Sequence, residues 1–225
     1  MPDLCPFPLH ADAAEAAELM RRLREDGAVV GTDEAGRGPL AGPVVAAAVW
    51  LTPEQERRLV ELGLRDSKKM TPTSRERVFA AMLDMGVAWG AQAGSVARIE
   101  RDNILNVSLW AMGRSVRRLC GAFGLSSVCV VVDGKFPIPE LDVPQWPLVK
   151  ADALVPAVSA ASVMAKVLRD RVMTALDALW PDYGFAKHRG YPTGEHRAAV
   201  RRLGMSPVHR PSFCRSCLAT PNTSA

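Results

Sequence analysis

Residues 28–51, AVVGTDEAGRGPLAGPVVAAAVWL, predict two buried strands joined by a glycine-rich turn. The first strand, over 28–34, is apolar until it ends at Asp33 and Glu34. The second, over 44–51, is an almost continuous apolar run between two prolines, which is typical of a strand covered on both faces. Acidic side chains are rarely buried without partners, so the pair that ends the first strand indicates a functional edge of a sheet.

The rest of the chain alternates between strand and helix patterns, which predicts an α/β fold. Apolar residues recur at helical spacing from Leu105 to Leu119 and again from Met164 to Leu176. A proline-rich connection without a predicted element crosses 137–147. Further strands are predicted over 88–96 and 127–132, and shorter helices over 12–25, 73–85 and 194–203.

Composition places the chain among ordinary soluble globular proteins. It has 225 residues, of which 48% are hydrophobic and 23% charged, and its net charge is +4. We see neither an apolar run of about 18 residues, which a membrane span needs, nor a secretory signal. The five cysteines are scattered, and the pair Cys214 and Cys217 lacks the second pair of a structural zinc site. We therefore expect a cytoplasmic protein in a reducing environment.

A basic segment lies near the C-terminus. Between Lys187 and Arg215 there are seven Lys or Arg residues and a single acid, Glu195. Such a segment is compatible with a nucleic-acid partner and equally with a solvated basic face.

Two further acids follow the pattern of Asp33 and Glu34. Asp133 ends the strand over 127–132, and Asp152 stands just before the second long helix. Acids at the ends of strands can converge at one edge of an α/β sheet, where a divalent cation would relieve their mutual repulsion. Each of them alone could instead be a helix cap or part of a surface turn.

The turn GTDEAGRG, residues 31–38, has glycines five apart, as a phosphate-binding P-loop does. Arg37 stands where that motif needs Lys, and Gly38 stands where it needs Ser or Thr, so we reject this interpretation. Gly36 and Gly38 would instead let main-chain N–H and C=O groups approach a ligand closely. A ribose 2′-hydroxyl is both donor and acceptor, and such groups could satisfy both roles.

With these residues in place, the chain resembles a known family, type 2 ribonuclease H (ribonuclease HII). The resemblance runs from about residue 27 to residue 213 and includes seven motifs in the family's order. They are GTDEAGRGPLAGP (31–43), DSKK (66–69), Asn103-Ile104, VDG (132–134), KAD (150–152) leading into SAASVMAK (159–166), GYP (190–192) and HRPSF (209–213). Ala151 stands where relatives often have Gly.

The resemblance implies a ribonuclease H-like fold, with a five-stranded mixed sheet flanked by helices and a helical C-terminal part. It divides the chain into an N-terminal extension with a short helix (1–26), the catalytic domain (27–213) and a disordered tail (214–225). It also implies cleavage of RNA–DNA hybrids and cutting 5′ to ribonucleotides embedded in DNA, leaving 3′-hydroxyl and 5′-phosphate ends. The associated role is removal of misincorporated ribonucleotides and RNA primers.

By the same resemblance, four acids would be catalytic and would hold Mg²⁺ or Mn²⁺ in a two-metal site, with Asp33 as the candidate bridge between the ions. These acids are Asp33, Glu34, Asp133 and Asp152. Asp33 and Glu34 are neighbours, so the strand would have to bend if both bind metal. Gly36, Arg37 and Gly38 would sense the 2′-hydroxyl.

Three more residues are candidate contacts to the substrate. Tyr191 would pack beside the ribonucleotide, although an aromatic in such a turn is often part of a core. Lys68 would meet phosphates or belong to a solvated turn. Lys166 would form a hydrogen bond beside the metal site or merely carry surface charge.

Two alternative functions belong to other classes of protein. One is a hybrid-binding module without catalysis, which would lack one of the acids, and the other is a P-loop nucleotide-binding protein. A nuclease with broader action on DNA is the third alternative. The partners we expect are RNA–DNA hybrids and DNA with embedded ribonucleotides. We predict a monomer without membrane association. The C-terminus lacks the aromatic pair of a sliding-clamp-binding peptide, so clamp binding is not predicted.

Overall fold

The computed structural model of the chain describes residues 9–218. Its five strands form one sheet with the order β3-β2-β1-β4-β5. The strands are β1 Ala28–Ala35, β2 Val44–Trp50, β3 Ala88–Gly94, β4 Val128–Asp133 and β5 Gln145–Leu148. Strand β2 runs antiparallel to both of its neighbours, whereas β1, β4 and β5 run parallel to one another. The predicted mixed sheet is confirmed.

Helices flank this sheet, and further helices follow it in the chain toward the C-terminus. They are α1 Ala13–Asp26, α2 Pro53–Glu61, α3 Pro72–Asp84, α4 Val96–Asp102, α5 Ile104–Phe123, α6 Pro156–Leu179, α7 Phe185–His188, α8 Gly194–Leu203 and α9 Pro211–Leu218. Short 3-10 turns occur at Ser67–Lys69, Ala151–Ala153 and Pro181–Tyr183. Among the described residues, no helix is long and apolar enough to cross a membrane.

The two long helices pack on opposite faces of the sheet. Helix α6 covers β1 and β2 together with α3, and α5 covers the other face of β2 and β3. Strand β1 has its first acid only at Asp33, because helices cover both of its faces. At Gly31 the contact with α6 is so close that an added Cβ would lie 2.3 Å from the main chain of Ala157. This glycine therefore lets the centre of the sheet approach the start of α6.

The N-terminal helix is predicted correctly, and its sequence explains its start. The Asp12 side chain caps the main-chain N–H groups of Ala14 and Glu15, and Glu15 reaches back to the Asp12 N–H, which forms a capping box. The apolar face of α1 packs against β1 and β4, beside the start of α6. Residues 13–26 thus share a core with the rest of the chain.

Helices α2, α4 and α7 have no counterpart among the predicted elements, and two further segments contradict what the sequence predicts for them. The proline-rich connection over 137–147 includes the start of β5, which pairs with β4 at the edge of the sheet. The prediction of a disordered tail from residue 214 is wrong for 214–218, because these residues complete α9. The Cys214 and Cys217 thiols are buried there against Leu40 and Val200. Residues 219–225 lie outside the described part of the chain.

Candidate active site

The sheet brings three acids together because three parallel strands end at the same edge. Asp33 lies near the end of β1, and Asp133 ends the neighbouring strand β4, one position beyond the pair Thr32 and Val132. Asp152 lies in the 3-10 turn that follows β5. One carboxylate oxygen from each of the three lies within 4.8 Å of the others. This arrangement follows from topology, since parallel strands place their carboxyl ends side by side.

Glu34 lies beside these three acids without joining them. Strand β1 continues through Asp33 and Glu34 in regular pairing with β2, so the strand does not bend there, yet both residues line the same cleft. Asp33 Oδ1 accepts a hydrogen bond from the Glu34 main-chain N–H at 2.7 Å. The Glu34 side chain is mostly buried, and its Oε1 lies 3.5 Å from Arg37 Nη1.

Burial and mutual repulsion make the negative charge of these acids unfavourable, so a bound proton or a bound cation would stabilise them. Burial raises the pKa of Asp33 well above its ordinary value, and the charges of Glu34 and Asp133 raise it further. Burial also raises the pKa values of Glu34 and Asp133. Two buried carboxylate oxygens, Asp33 Oδ2 and Asp133 Oδ1, have no hydrogen-bond partner among the described residues. Oxygen donors of this kind suit Mg²⁺ or Mn²⁺, so the residues fit a divalent metal.

Lys68 contacts this acidic group directly. Its Nζ lies 3.1 Å from Asp152 Oδ2, in the turn of the DSKK motif. Partial burial tends to lower the pKa of Lys68, but Asp33 and Asp152 outweigh it and raise the pKa. The turn is tied to α6 by a hydrogen bond of 2.7 Å between the hydroxyls of Ser67 and Ser162. Lys68 therefore contacts the acidic site from an exposed turn, because its side chain is 71% exposed, and its contact with phosphates stays a prediction.

The two glycines of the GRG sequence have different surroundings. Gly36 has a φ of +101°, and an added Cβ would lie 2.1 Å from Arg169 Nε, so the protein's own packing demands glycine there. Gly38 has no atom within 4 Å of the same position, and its φ lies outside the left-handed region. Packing therefore does not explain glycine at position 38, which leaves room for a close ligand.

Two fully buried arginines hold the loop 36–43, and sequence reasoning missed both as functional residues. Arg210 donates to the carbonyls of Gly36, Arg37 and Gly42. Arg169 donates to the carbonyls of residues 41, 43 and 189. Arginine normally indicates a surface position, and the HRPSF motif at residues 209–213 was the one signal that included either of them.

Tyr191 is 39% exposed at the rim of this loop, so it is not a core residue. Its ring lies 5.5 Å from Lys166 Nζ and 5.7 Å from the Arg169 guanidinium. Lys166 forms an ion pair of 2.7 Å with Asp170 on the same helix, away from the three clustered acids. The loop and the Tyr191 segment are joined by a hydrogen bond of 2.8 Å from the Leu40 N–H to the Gly190 carbonyl.

Histidines fix the main chain at Tyr191. The Ser206 N–H donates to His209 Nδ1 at 2.9 Å, so the proton of His209 is on Nε2, which donates to His196 Nε2 at 3.0 Å. His196 then carries its proton on Nδ1 and donates to the Tyr191 carbonyl at 2.9 Å. Burial lowers the pKa values of His196 and His209, which keeps both rings neutral.

All the predicted site residues except Asp152 line one cleft of about 330 Å³. Its lining includes Asp33, Glu34, Gly36, Arg37, Gly38, Lys68, Asp133, Lys166 and Tyr191. Acids that can hold a metal thus face the same space as a loop with room for a close ligand.

Comparison with known proteins agrees with this geometry. The family model described as ribonuclease HII matches residues 30–216, which is most of the chain. The chain belongs to the ribonuclease HII family. The ribonuclease HII of Moorella thermoacetica is 48% identical to it over 195 residues, which cover 86% of this chain and 90% of that protein. Members of the family cleave the RNA of RNA–DNA hybrids in a metal-dependent reaction, so this protein is an endoribonuclease.

Solved structures agree with the fold. The ribonuclease HII in a PCNA complex from Archaeoglobus fulgidus matches with a TM-score of 0.69 at 23% identity, over 86% of this chain and 98% of that one. A ribonuclease HIII described as the Bst enzyme in complex with Mn²⁺ matches with a TM-score of 0.67 at 19% identity, over 87% of this chain and 67% of that one.

Proposed function

We propose that this protein cuts DNA duplexes on the 5′ side of an embedded ribonucleotide, as well as the RNA strand of longer hybrids. The products carry 3′-hydroxyl and 5′-phosphate ends. The observation that carries the proposal is the shared cleft, in which the acids of the sheet edge face the glycine loop and Tyr191. A nuclease indifferent to the sugar would need the acids but not the loop. The cellular role that follows is removal of misincorporated ribonucleotides and RNA primers.

Asp33, Asp133 and Asp152 hold the divalent metal, and Glu34 completes the set from the adjoining position. Asp33 would be the bridge in a two-metal site, as the resemblance to the family implies, and its buried Oδ2 has no hydrogen-bond partner among the described residues. Mg²⁺ or Mn²⁺ ions bound there supply activation of a water molecule and stabilisation of the leaving 3′-oxygen. The protein itself provides a rigid, buried arrangement of carboxylates at the edge of its sheet.

The sugar is selected by the loop at Gly36, Arg37 and Gly38. The space beside Gly38 admits a close ligand, and main-chain groups of this loop can pair with a hydroxyl that is both donor and acceptor. Tyr191, which lines the same cleft, packs against the sugar next to the ribonucleotide. A deoxyribose lacks the hydroxyl, so it leaves these polar groups unpaired and is bound less well.

The duplex is held by cations around the cleft. Lys68 lies beside Asp152 and Lys166 beside Tyr191, where both can meet phosphates of the bound strand. The basic residues of 187–215 other than the buried Arg210 are further candidates for phosphate contacts, and such contacts would make binding weaker at high salt. The cytoplasmic location, the monomeric state and the absence of clamp binding stay predictions from the sequence.

Analysis of the product ends tests the proposed chemistry. A duplex with one ribonucleotide is cut with Mg²⁺ or Mn²⁺ present, and the fragments are treated with a DNA polymerase or a phosphatase. We expect the upstream fragment to be extended directly, and the downstream fragment to release a 5′-phosphate and to retain the ribonucleotide. An upstream fragment that keeps the ribonucleotide, or that ends in a 3′-phosphate, would contradict the proposal. Asp33→Asn serves as the inactive control.

A further inference from the structure

Arg169 and Arg210 are unusual because both are fully buried and neither forms an ion pair with a described residue. All seven of their hydrogen bonds go to main-chain carbonyls, six of them in the loop 36–43. A buried guanidinium is costly unless its donors are satisfied, and here carbonyls alone satisfy them. Burial lowers the pKa of Arg210 to about 9 and also lowers the pKa of Arg169, which reflects this cost.

The contacts of Arg210 set the direction of two peptide groups. Its Nη2 donates to the Gly36 carbonyl at 2.8 Å, and its Nη1 donates to the Arg37 carbonyl at 3.0 Å. In a trans peptide the C=O and N–H groups point in opposite directions. Because these carbonyls face Arg210, the N–H groups of Arg37 and Gly38 point away from it. Neither N–H makes a hydrogen bond within residues 9–218, and both residues line the cleft.

Arg169 joins the loop to the Tyr191 segment. It donates to the carbonyls of Ala41 and Pro43 at 3.2 and 3.0 Å, and to the Arg189 carbonyl at 3.0 Å. Its Nε is also the atom that a Cβ at Gly36 would approach to 2.1 Å. One side chain therefore fixes the far end of the loop, the conformation at Gly36 and the start of the segment that carries Tyr191.

We propose that Arg210 and Arg169 are positioning residues for ribose selection: they direct the N–H groups of Arg37 and Gly38 into the cleft as donors to the 2′-hydroxyl oxygen. Neither arginine touches the substrate. The inference rests on the proposed function, since it assigns the means by which the loop distinguishes ribose from deoxyribose. Lysine cannot replace either arginine, because it keeps the charge but lacks the planar fork that reaches several carbonyls at once.

The test uses Arg210→Lys and Arg169→Lys with a duplex carrying one ribonucleotide and with an all-DNA duplex of the same sequence. We expect the single-turnover cleavage rate to fall by about 10²-fold, as for a reacting group displaced by about 1 Å. The Kd for the all-DNA duplex should stay within about threefold, because phosphate contacts outside the loop are intact. The preference in Kd for the ribonucleotide duplex should fall toward unity.

Arg118→Lys is the matched control, because Arg118 also donates to a main-chain carbonyl, that of Ala91 at 2.8 Å, and neither residue lines the cleft. We expect it to keep the wild-type rate and preference. Should a lysine variant not fold, glutamine at the same position carries the same test, since it keeps amide donors without a buried charge.

Three results separate the possible failures. If the wild type cuts neither the ribonucleotide duplex nor a long hybrid, the proposed function itself fails. If the wild type cuts and the folded arginine variants retain its rate and its preference, the positioning role is overturned. If no lysine or glutamine variant at either position folds, the arginines serve folding alone, and the positioning role is again overturned.

Discussion

Among single residues, the clearest division between structure and function is at the two glycines of the GRG sequence. Gly36 is required by its left-handed φ and by its contact with Arg169. Gly38 meets neither condition. The same substitution at these positions therefore has different consequences.

Gly38→Ala should leave the melting temperature within about 1 °C of the wild type while it lowers cleavage of an embedded ribonucleotide. Gly36→Ala should lower both, because strain of about 1–3 kcal/mol corresponds to roughly 2–4 °C per kcal/mol in a chain of this size. Thermal unfolding and single-turnover cleavage measure the two effects. Gly121→Ala, on the exposed side of α5 with open space around it, is the control that should change neither. An unchanged cleavage rate in Gly38→Ala would remove the case for a close ligand there.

The carboxylates that face one another at the sheet edge should oppose folding at neutral pH. Their pKa values are raised in the folded state, so their contribution to stability is present below the unfolded pKa and is lost as the pH rises. In EDTA, Asp133→Asn should raise the melting temperature by about 2–4 °C for each kcal/mol of relieved repulsion, and it should abolish cleavage.

The control for this substitution is Asp142→Asn, which changes an exposed acid outside the cleft. It should alter neither the melting temperature nor cleavage. A lower melting temperature in Asp133→Asn would mean that the acid has a structural role in the metal-free protein.

The sequence identifies the acids of the site but not the residues that support the loop. Asp33, Asp133 and Asp152 stand out because acids at the ends of apolar strands need a reason to be there. Arg169 and Arg210 give no such signal, since their partners are carbonyls that no side-chain pattern reveals. The sequence also does not predict the position of Glu34. In a regular strand its side chain should point away from that of Asp33, yet both residues line the cleft.

At the level of elements, the segments around α7, α8 and residues 206–209 are held by a chain of neutral histidines. Burial and the neighbouring His196 lower the pKa of His209 from 6.5 to about 4. A histidine with a lowered folded pKa contributes stability above its unfolded pKa, and that contribution is lost as the pH falls toward 4. Protonation of His209 would place a proton on its Nδ1, so this nitrogen could no longer accept the hydrogen bond from the Ser206 N–H in the chain that leads to Tyr191.

We expect protonation of His209 to lower the free energy of unfolding by on the order of 3 kcal/mol as the pH falls from 6.5 to 4. The acids at the sheet edge act in the opposite direction, so the effect is read as the difference between wild type and His209→Gln. Urea unfolding at several pH values should show a smaller acid-induced loss in the variant. His10→Gln, an exposed position, should keep the wild-type pH dependence. Equal pH dependence in His209→Gln and the wild type would contradict the neutral chain.

Most elements follow from sequence periodicity, and those that do not have physical reasons. Strand β5 was missed because it is short and contains Pro147, which an edge strand tolerates and a central strand does not. Helix α9 was not predicted, because the segment around Cys214 and Cys217 is too short to show a helical repeat of apolar residues. In the fold both thiols pack under Leu40, which supports the loop 36–43.

On the scale of the whole molecule, the cleft is formed between the carboxyl edge of the sheet and the C-terminal segments. The sheet contributes the acids, and the segments from α6 onward contribute Lys166, Tyr191 and the two arginines. Gly42 donates to the Val208 carbonyl, and Arg210 donates through its N–H to the Leu40 carbonyl, so the two halves are joined through the main chain. Main-chain hydrogen bonds therefore join the acids proposed to hold metal to the segments proposed to select the sugar.

The most direct test is cleavage of a labelled DNA duplex that carries one ribonucleotide, with Mg²⁺, Mn²⁺ or EDTA, beside an all-DNA duplex of the same sequence. The account predicts metal-dependent cutting on the 5′ side of the ribonucleotide, none in EDTA and none in the all-DNA duplex. Cutting of both duplexes would contradict selection by the 2′-hydroxyl. No cutting of this duplex or of a long RNA–DNA hybrid in either metal would contradict the catalytic role of the acids.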